Sequence, residues 1–542
     1  MSPIRSRAAE EGSFEIPLWG VPLILVLLYV CLFSGLGAIG LVGPDEPRYA
    51  AIARAMAETQ DWVTPRLWGT PWFEKPVLYY WCAGIAMRIF GVSEFAARLP
   101  SALAALLAIA AVKWAALRSY GPATAWFGLL MLPASVAMIG FSRAASPDML
   151  FAGLLTAAMA VACEILQKPR PGPILQFLFG FFLGAAVLAK GPAAVILAGG
   201  ATLLWAAMAH QWRAPFRFLH PIIIAVFCAT ALPWYILCAL RNPDFLRVFI
   251  WQHNFERYLT PVFQHPQPFW FYAPILAIAS MPWVGTLVGS LFVKLKKGEW
   301  RQSPGLFIFC WAFFPFLFFS FSQSKLPGYI LPAVPPMFLL MSRAAARLVA
   351  TAQRISIAWI GISGALFFVL AFDPSGVLRR IGEIFNVPGV RVHTLLIIAG
   401  VGGLIAIGCS LANKPSCAII AVAILISMLL TFMNIRILPA ADSRISPRNM
   451  ARDCFRINPS GENVAVFGLT RDWQYGMNYY FGRELPEWKP GTPMPQWLLT
   501  NKGNADGFVR AGDQFQQIHQ ASRAGEPFAV LLHVTPAESG SH

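Results

Sequence analysis

Residues 16–50 read IPLWGVPLILVLLYVCLFSGLGAIGLVGPDEPRYA, and this stretch decides the class of the molecule. From Ile16 to Leu41 there is no charged side chain. An α-helix needs about 20 apolar residues to cross a hydrocarbon core about 30 Å thick, so this run is long enough. It is too long for the core of a signal peptide, and no small-residue cleavage site precedes the next motif. It reads as a retained first span. The chain then meets Asp45, Glu46 and Arg48, which mark its exit from the bilayer.

The rest of the 542 residues repeats this pattern. The chain is 57% hydrophobic and 13% charged, with a mean hydropathy of +0.58. A soluble domain carries about 25% charged residues. There is too little polar material here to coat a water-soluble body, which excludes a soluble enzyme, a disordered regulator and a secreted disulfide scaffold. Long continuous apolar stretches also argue against a β-barrel, whose strands alternate over about 10 residues. The class is an all-α polytopic membrane protein. The net charge of +16 sits in short loops between spans, so it speaks for membrane topology and anionic lipid or phosphate partners rather than nucleic acid. Eight of the nine cysteines lie in or beside apolar segments and no CxxC spacing occurs; they read as small buried hydrophobes.

Further apolar stretches fall at about 99–117, 123–141, 148–166, 173–189, 192–209, 219–240, 269–293, 305–322, 328–346, 356–372, 393–412 and 416–438. With the first they predict about thirteen transmembrane helices. A cytoplasmic N-terminus then places Lys113/Arg118, Lys168/Arg170, Arg213/Arg217, Lys294–Arg301, Arg343/Arg347/Arg354 and Lys414 in cytoplasmic turns, as the positive-inside rule requires. Val77–Phe90 is short for a span and suits an interfacial or re-entrant helix within an exterior loop, 43–98. Residues 1–439 form the membrane domain. Residues 440–542 predict a small C-terminal α/β domain on the periplasmic side, with strands at Val464–Phe467 and Phe528–Leu532 and an aromatic-rich helix at Asp472–Phe481.

Ionisable residues at a bilayer edge are candidates for function. Four clusters fall on the exterior face. Gly43-Pro44-Asp45-Glu46-Pro47-Arg48 is either a plain acidic helix start or a carboxylate held rigidly at a cavity. Pro71-Trp72-Phe73-Glu74-Lys75-Pro76 is a surface ion pair among aromatics, or a phosphate-binding lysine beside a carboxylate. Ser146-Pro147-Asp148 is again a helix start, and its pairing with Asp45 on one face raises its interest. The fourth joins Trp251–Tyr258, with His253 and Arg257, to Ser324–Pro332, with Lys325, Tyr329 and closely spaced prolines. Helix breaks at membrane depth line cavities. Together Arg48, Lys75, Lys190, Arg257 and Lys325 would make a cationic pocket beside Asp45 and Asp148. That chemistry suits a membrane-borne phosphate with an acceptor hydroxyl activated by carboxylate.

Taken in order from about 41 to 335, Asp45-Glu46-Pro47-Arg48-Tyr49-Ala50, Phe73-Glu74-Lys75-Pro76, Ser146-Pro147-Asp148, His253-Asn254, Arg257-Tyr258 and Ser324-Lys325-Leu326-Pro327-Gly328-Tyr329 resemble the bacterial GT-C glycosyltransferases. The nearest group holds the lipid A aminoarabinose transferase and the dolichyl-phosphate-mannose protein mannosyltransferase-like enzymes. The resemblance implies a GT-C fold in the inner membrane and a sugar donor on undecaprenyl phosphate. It implies transfer with inversion on the periplasmic face to an envelope acceptor, such as lipid A, another lipid or a protein. It makes Asp45 and Asp148 the catalytic carboxylates and Arg48, Lys75, Lys325 and Arg257 the donor-phosphate contacts. Glu46, Trp72 and Tyr329 fall in the substrate pocket, and Glu74 and His253 match positions able to hold a divalent metal. Trp72 stands where the aminoarabinose enzymes carry tyrosine. No Gly-rich phosphate loop follows an early strand, so no nucleotide cofactor is expected. The competing readings are a protein O-mannosyltransferase and, from another class, a lipid-linked-sugar flippase. The latter would be expected to show paired halves with matching broken helices, and the sequence has no such symmetry.

Overall fold

The computed structural model describes residues 17–256, 258, 260, 267–291, 303–351, 354–384, 387–493, 495–510, 515–523 and 526–534. Arg257 and the basic 294–301 turn lie outside the described residues.

Proline starts many of the helices. Pro122, Pro147, Pro173, Pro221, Pro304 and Pro415 each stand in the first turn, where a missing N–H costs nothing and a fixed φ favours the helical turn. Among the described residues seven helices are long and apolar enough to cross a bilayer: Glu94–Ser119, Pro147–Gln167, Pro173–Lys190, Pro221–Arg241, Pro327–Ala350, Gly389–Leu411 and Pro415–Ile445. Pro122–Met131 and Val136–Ser142 form a pair bent by 61° that makes an eighth if taken as one span. Five shorter apolar helices accompany them: Gly20–Phe33, Ala193–Ala209, Phe269–Ala279, Pro304–Ser320 and Ala358–Ala371. Each apolar stretch marked on the sequence overlaps one of these elements. Leu78–Phe90 is a separate helix of 13 residues, roughly 20 Å long and too short to span.

Small residues let the helices approach closely. Gly153 in the Pro147–Gln167 helix lies against the Ala104 carbonyl of the Glu94–Ser119 helix, with no room for a Cβ. A Cβ on Gly180 would stand 2.7 Å from the Ile223 carbonyl oxygen, and one on Gly403 would stand 2.7 Å from that of Gly364.

Two short strands, β1 (Arg66–Leu67) and β2 (Thr70–Pro71), form a hairpin. Its two central residues, Trp68 and Gly69, have φ of 51° and 84°, the backbone of a tight two-residue turn. The hairpin delivers Trp72-Phe73-Glu74-Lys75 to the cavity described below. The C-terminal part contains a four-stranded sheet of β3 (Val464–Phe467), β4 (Trp497–Thr500), β5 (Phe515–Arg523) and β6 (Glu526–Val534), in the order β3-β4-β6-β5. β3 and β4 run parallel with Val464 opposite Trp497; β4 and β6 are antiparallel with Leu498 opposite Leu532. Val464, Val466, Leu499 and Leu531 pack on Trp473 and Met477 on one side, and Ala465, Leu498, Val530 and Leu532 on Trp488 and Ala505 on the other. Both faces are therefore covered.

This C-terminal part grips the loop that precedes Asp45. Asp442 accepts the Gly40 N–H at 2.7 Å and both Nε and Nη2 of Arg448. Arg448 also donates to the Gly37 and Ala38 carbonyls. Tyr480 Oη donates to Glu94 and accepts the Leu41 N–H.

Candidate active site

Asp45 begins the Asp45–Thr59 helix, and Arg48 stands one turn on. The Arg48 guanidinium is buried and bridges two carboxylates: Nη2 lies 2.5 Å from Asp45 Oδ1 and 3.0 Å from Glu74 Oε2. Lys75 Nζ lies 3.4 Å from the other Glu74 oxygen. Burial by itself would lower the Arg48 pKa; the charge of Glu74, with Tyr49 and Asp45 beside it, outweighs burial and raises it. The Arg48 guanidinium also stacks over the rings of Tyr49 and Trp72, at 5.2 and 5.5 Å. Three buried donors around it, Arg48 Nε, Trp72 Nε1 and Tyr80 Oη, make no hydrogen bond among the described residues. Asp45 itself reaches solvent, its side chain 60% exposed.

Asp148 is the second residue of the Pro147–Gln167 helix, capped by Ser146. Its Oδ1 is ion-paired with Lys190 Nζ, and Ser146 Oγ donates to its Oδ2. Lys190 ends the Pro173–Lys190 helix, and its ammonium lies 5.0 Å from the ring centre of Tyr329 and 5.5 Å from that of Phe151.

These two charge chains meet at a cavity of about 400 Å³. Glu74, Lys75, Lys190, His253, Tyr258 and Tyr329 line it, together with Phe151, Phe249, Phe318 and Phe319. A second cavity of about 460 Å³ adjoins it, and Glu74 and His253 stand in the walls of both. Trp72, Arg241, Asn242 and Asp244 line the second. The pair of cavities thus offers greasy walls with cations and the Glu74 carboxylate in the lining, Asp148 one contact behind Lys190, and Asp45 behind Arg48. Such a site can hold a lipid phosphate and present a sugar carbon to an acceptor.

The structure brings together Glu74, Lys75, His253 and Tyr329 directly, with Trp72 in the second wall. Arg48 and Asp45 connect through Glu74, and Asp148 through Lys190. Lys190, whose interest on the sequence was only as one charge of a cationic set, proves to be the link between Asp148 and the cavity. Lys325 is placed otherwise. Its ammonium, nearly dry, donates to the carbonyls of Gln267 at 2.9 Å and Ser322 at 2.6 Å, burial holds its pKa below the usual lysine value, and Ser322 rather than Lys325 lines the cavity. Glu46 is also corrected. It does not line either cavity; both its oxygens are taken by the buried Arg98 guanidinium, at 3.0 and 2.7 Å. Residues one apart on a helix point about 100° apart, so Asp45 facing outward turns Glu46 inward. Arg98 carried no signal on the sequence because it opens an apolar helix like any flanking arginine.

Glu74 and His253 on the shared wall are two candidate metal ligands. Among the described residues no group of three or more His, Cys, Asp and Glu is assembled, and Glu74 is already engaged by Arg48 and Lys75. The described residues do not by themselves make a full donor set for an ion there.

A family model described as dolichyl-phosphate-mannose-protein mannosyltransferase matches residues 18–249. An undecaprenyl phosphate-alpha-4-amino-4-deoxy-L-arabinose arabinosyl transferase of Edwardsiella ictaluri is 34% identical over 343 residues, which are 62% of each chain. Its counterpart in Aeromonas salmonicida is 33% identical over 382 residues, 67% of each. The match thus spans somewhat under, or about, two thirds of these relatives' lengths. The crystal structure of ArnT from Cupriavidus metallidurans bound to undecaprenyl phosphate superposes with a TM-score of 0.75 at 22% identity, over 97% of this chain and 99% of that one. The apo form of the same protein gives 0.76.

Proposed function

Because the chain belongs to the GT-C glycosyltransferases, in the family of the aminoarabinose and PMT-type transferases, we propose that it moves a sugar from undecaprenyl phosphate to an envelope acceptor such as lipid A. The observation that carries this reading is the cavity in which Lys75, Lys190 and Tyr329 face apolar aromatic walls, with Arg48 and Asp148 one contact behind and Asp45 one further, through Arg48. It suits a phosphate on a hydrocarbon tail. The name of the matching family model keeps a protein hydroxyl as the second acceptor reading.

The reaction is one displacement with inversion. The acceptor oxygen forms a bond to the anomeric carbon as the bond from that carbon to the phosphate oxygen breaks. The electron pair stays with undecaprenyl phosphate, which leaves as an anion. The leaving group therefore needs cations, not a general acid. Arg48, Lys75 and Lys190 supply them. Arg257, outside the described residues, joins them in this reading, and Lys325 shapes the loop that carries Ser322 and Tyr329. Asp45 accepts the hydrogen bond, and in the end the proton, of an acceptor hydroxyl, with Asp148 assisting. Trp72 and Tyr329 face the sugar. Glu74 pairs with both Arg48 and Lys75 and so holds the two cations side by side, and with His253 it marks where a divalent ion would be sought.

The threading proposed is thirteen crossings, N-terminus in the cytoplasm, with 440–542 as a periplasmic domain. Two observations support it. Residues 148 and 164 lie on one helix, roughly 24 Å apart. At the far end Glu164 pairs with Arg118 and Lys168, and Arg217 caps the same helix end, so the basic side chains gather opposite Asp148. The C-terminal part docks beside Asp45.

The test is turnover of a polyprenyl-phosphate sugar by purified protein in detergent, read by mass spectrometry of lipid A and of envelope proteins. Asp45→Asn should fold and bind undecaprenyl phosphate but lose transfer. Normal turnover in that variant removes the role assigned to the carboxylate.

A further inference from the structure

Asp45 and Asp148 lie about a hundred residues apart in the sequence, yet the proposed reaction needs them at a fixed separation. One buried unit joins the two segments that carry them. All five N–H groups of Arg98 are used. Nε and one Nη2 hydrogen hold the Glu46 oxygens, the other Nη2 hydrogen reaches the Gly40 carbonyl at 2.8 Å, and Nη1 reaches those of Leu36 and Ile39 at 2.8 and 2.9 Å. Glu46 in turn accepts the Val42 N–H at 2.8 Å on one oxygen and the Ala145 N–H at 2.7 Å on the other. Ser101, one turn along the helix from Arg98, donates to the Ala144 carbonyl at 2.6 Å and lies 3.2 Å from that of Ser146. The turn before Asp45 and the turn before Asp148 are thereby hung on the same two side chains. Arg98 is 2% exposed, and charge-assisted bonds in so dry a place are short and directional.

We propose that Glu46 and Arg98, with Ser101 as auxiliary, are positioning residues that set the separation of Asp45 and Asp148; this rests on the reading of those two aspartates as the residues that handle the acceptor. Neither Glu46 nor Arg98 touches either cavity. They act through the backbone of 36–42 and 144–146. A misplacement of about 1 Å in a reacting geometry can cost about a hundredfold in rate, while cations held by other bonds, Arg48, Lys75 and Lys190, keep their grip on the donor.

The experiment is to compare Glu46→Gln and Ser101→Ala with the unaltered protein in lipid nanodiscs. It measures kcat, undecaprenyl phosphate affinity and amide hydrogen exchange over 36–44 and 143–147. Glu46→Gln should speed exchange in both segments together, lower kcat about a hundredfold and leave undecaprenyl phosphate affinity unchanged. Ser101→Ala, a milder change that spares the ion pair, should speed exchange only over 143–147 and lower kcat about tenfold, the worth of one lost neutral hydrogen bond. Unchanged kcat in Glu46→Gln overturns the proposal. So does a parallel loss of donor affinity and turnover, which would make the pair merely structural. If Asp45→Asn and Asp148→Asn both turn over normally, the reading of the carboxylates falls and the positioning role falls with it. If those two are inactive while Glu46→Gln is active, only the positioning role fails.

Discussion

At the scale of single residues, burial separates charges that matter from charges that decorate. Lys75 and Lys190 are 15% and 12% exposed at the cavity, whereas Arg118 is half exposed at the far end of the molecule. A hydrogen bond to a charged group contributes about 1.5–3 kcal/mol, so Lys75→Ala should weaken undecaprenyl phosphate binding about 10- to 100-fold, read by a titration of the purified protein. Equal affinity would remove Lys75 from the phosphate site. Arg118→Ala takes one of two cations from the buried Glu164 carboxylate, which keeps Lys168, and should leave undecaprenyl phosphate binding unchanged while lowering stability by about 1–3 kcal/mol. Much of the site was legible at this scale. Asp45, Glu74, Lys75 and Asp148 stand out because charge beside a bilayer is costly without a purpose. What was not legible is which way each points. Asp45 and Glu46 look equivalent on paper, and only the helix turn between them sends one to the cavity side and the other to Arg98. Lys325 looked like a phosphate ligand, but two carbonyls already hold it.

At the scale of elements, proline and glycine do most of the signalling. Proline in the first turn fixed the start of six helices, and those starts were readable. The helix crossings were not, since a glycine in an apolar run gives no sign of which partner it admits. Gly153 shows the consequence. With the Ala104 carbonyl pressed against it, Gly153→Val should force the Glu94–Ser119 and Pro147–Gln167 helices apart. Overpacking of this kind costs about 1–3 kcal/mol and should appear as a lower unfolding temperature in detergent. Gly199, with open space at its Cβ position, should accept alanine without that loss. The crossing that Gly153 permits also carries Asp148 and Ser101, so the same variant should lose turnover faster than it loses donor binding.

At the scale of the whole molecule, the C-terminal part is anchored to the loop before Asp45 chiefly through Asp442 and Arg448. Breaking a buried pair by removing one partner costs about 3–5 kcal/mol. Arg448→Ala should therefore loosen 440–534, seen as faster limited proteolysis there while the membrane helices stay resistant. The proposed threading makes its own prediction. In a background without native cysteines, Ser460→Cys should react with a membrane-impermeant maleimide on intact spheroplasts, and Gln211→Cys only after permeabilisation; the reverse pattern would invert the topology. The sequence alone determined the class, the apolar stretches, several candidate residues such as Glu74, Lys75 and Tyr329, and the family they resemble. It could do so because hydropathy and the expense of charge near lipid act on each short segment separately. Tertiary structure alone decided which charges share a cavity, that Lys190 links Asp148 to it, and that Glu46 and Arg98 tie together two turns a hundred residues apart. Those facts depend on helix phase and on contacts between distant segments, and neither is written in any one stretch of the chain.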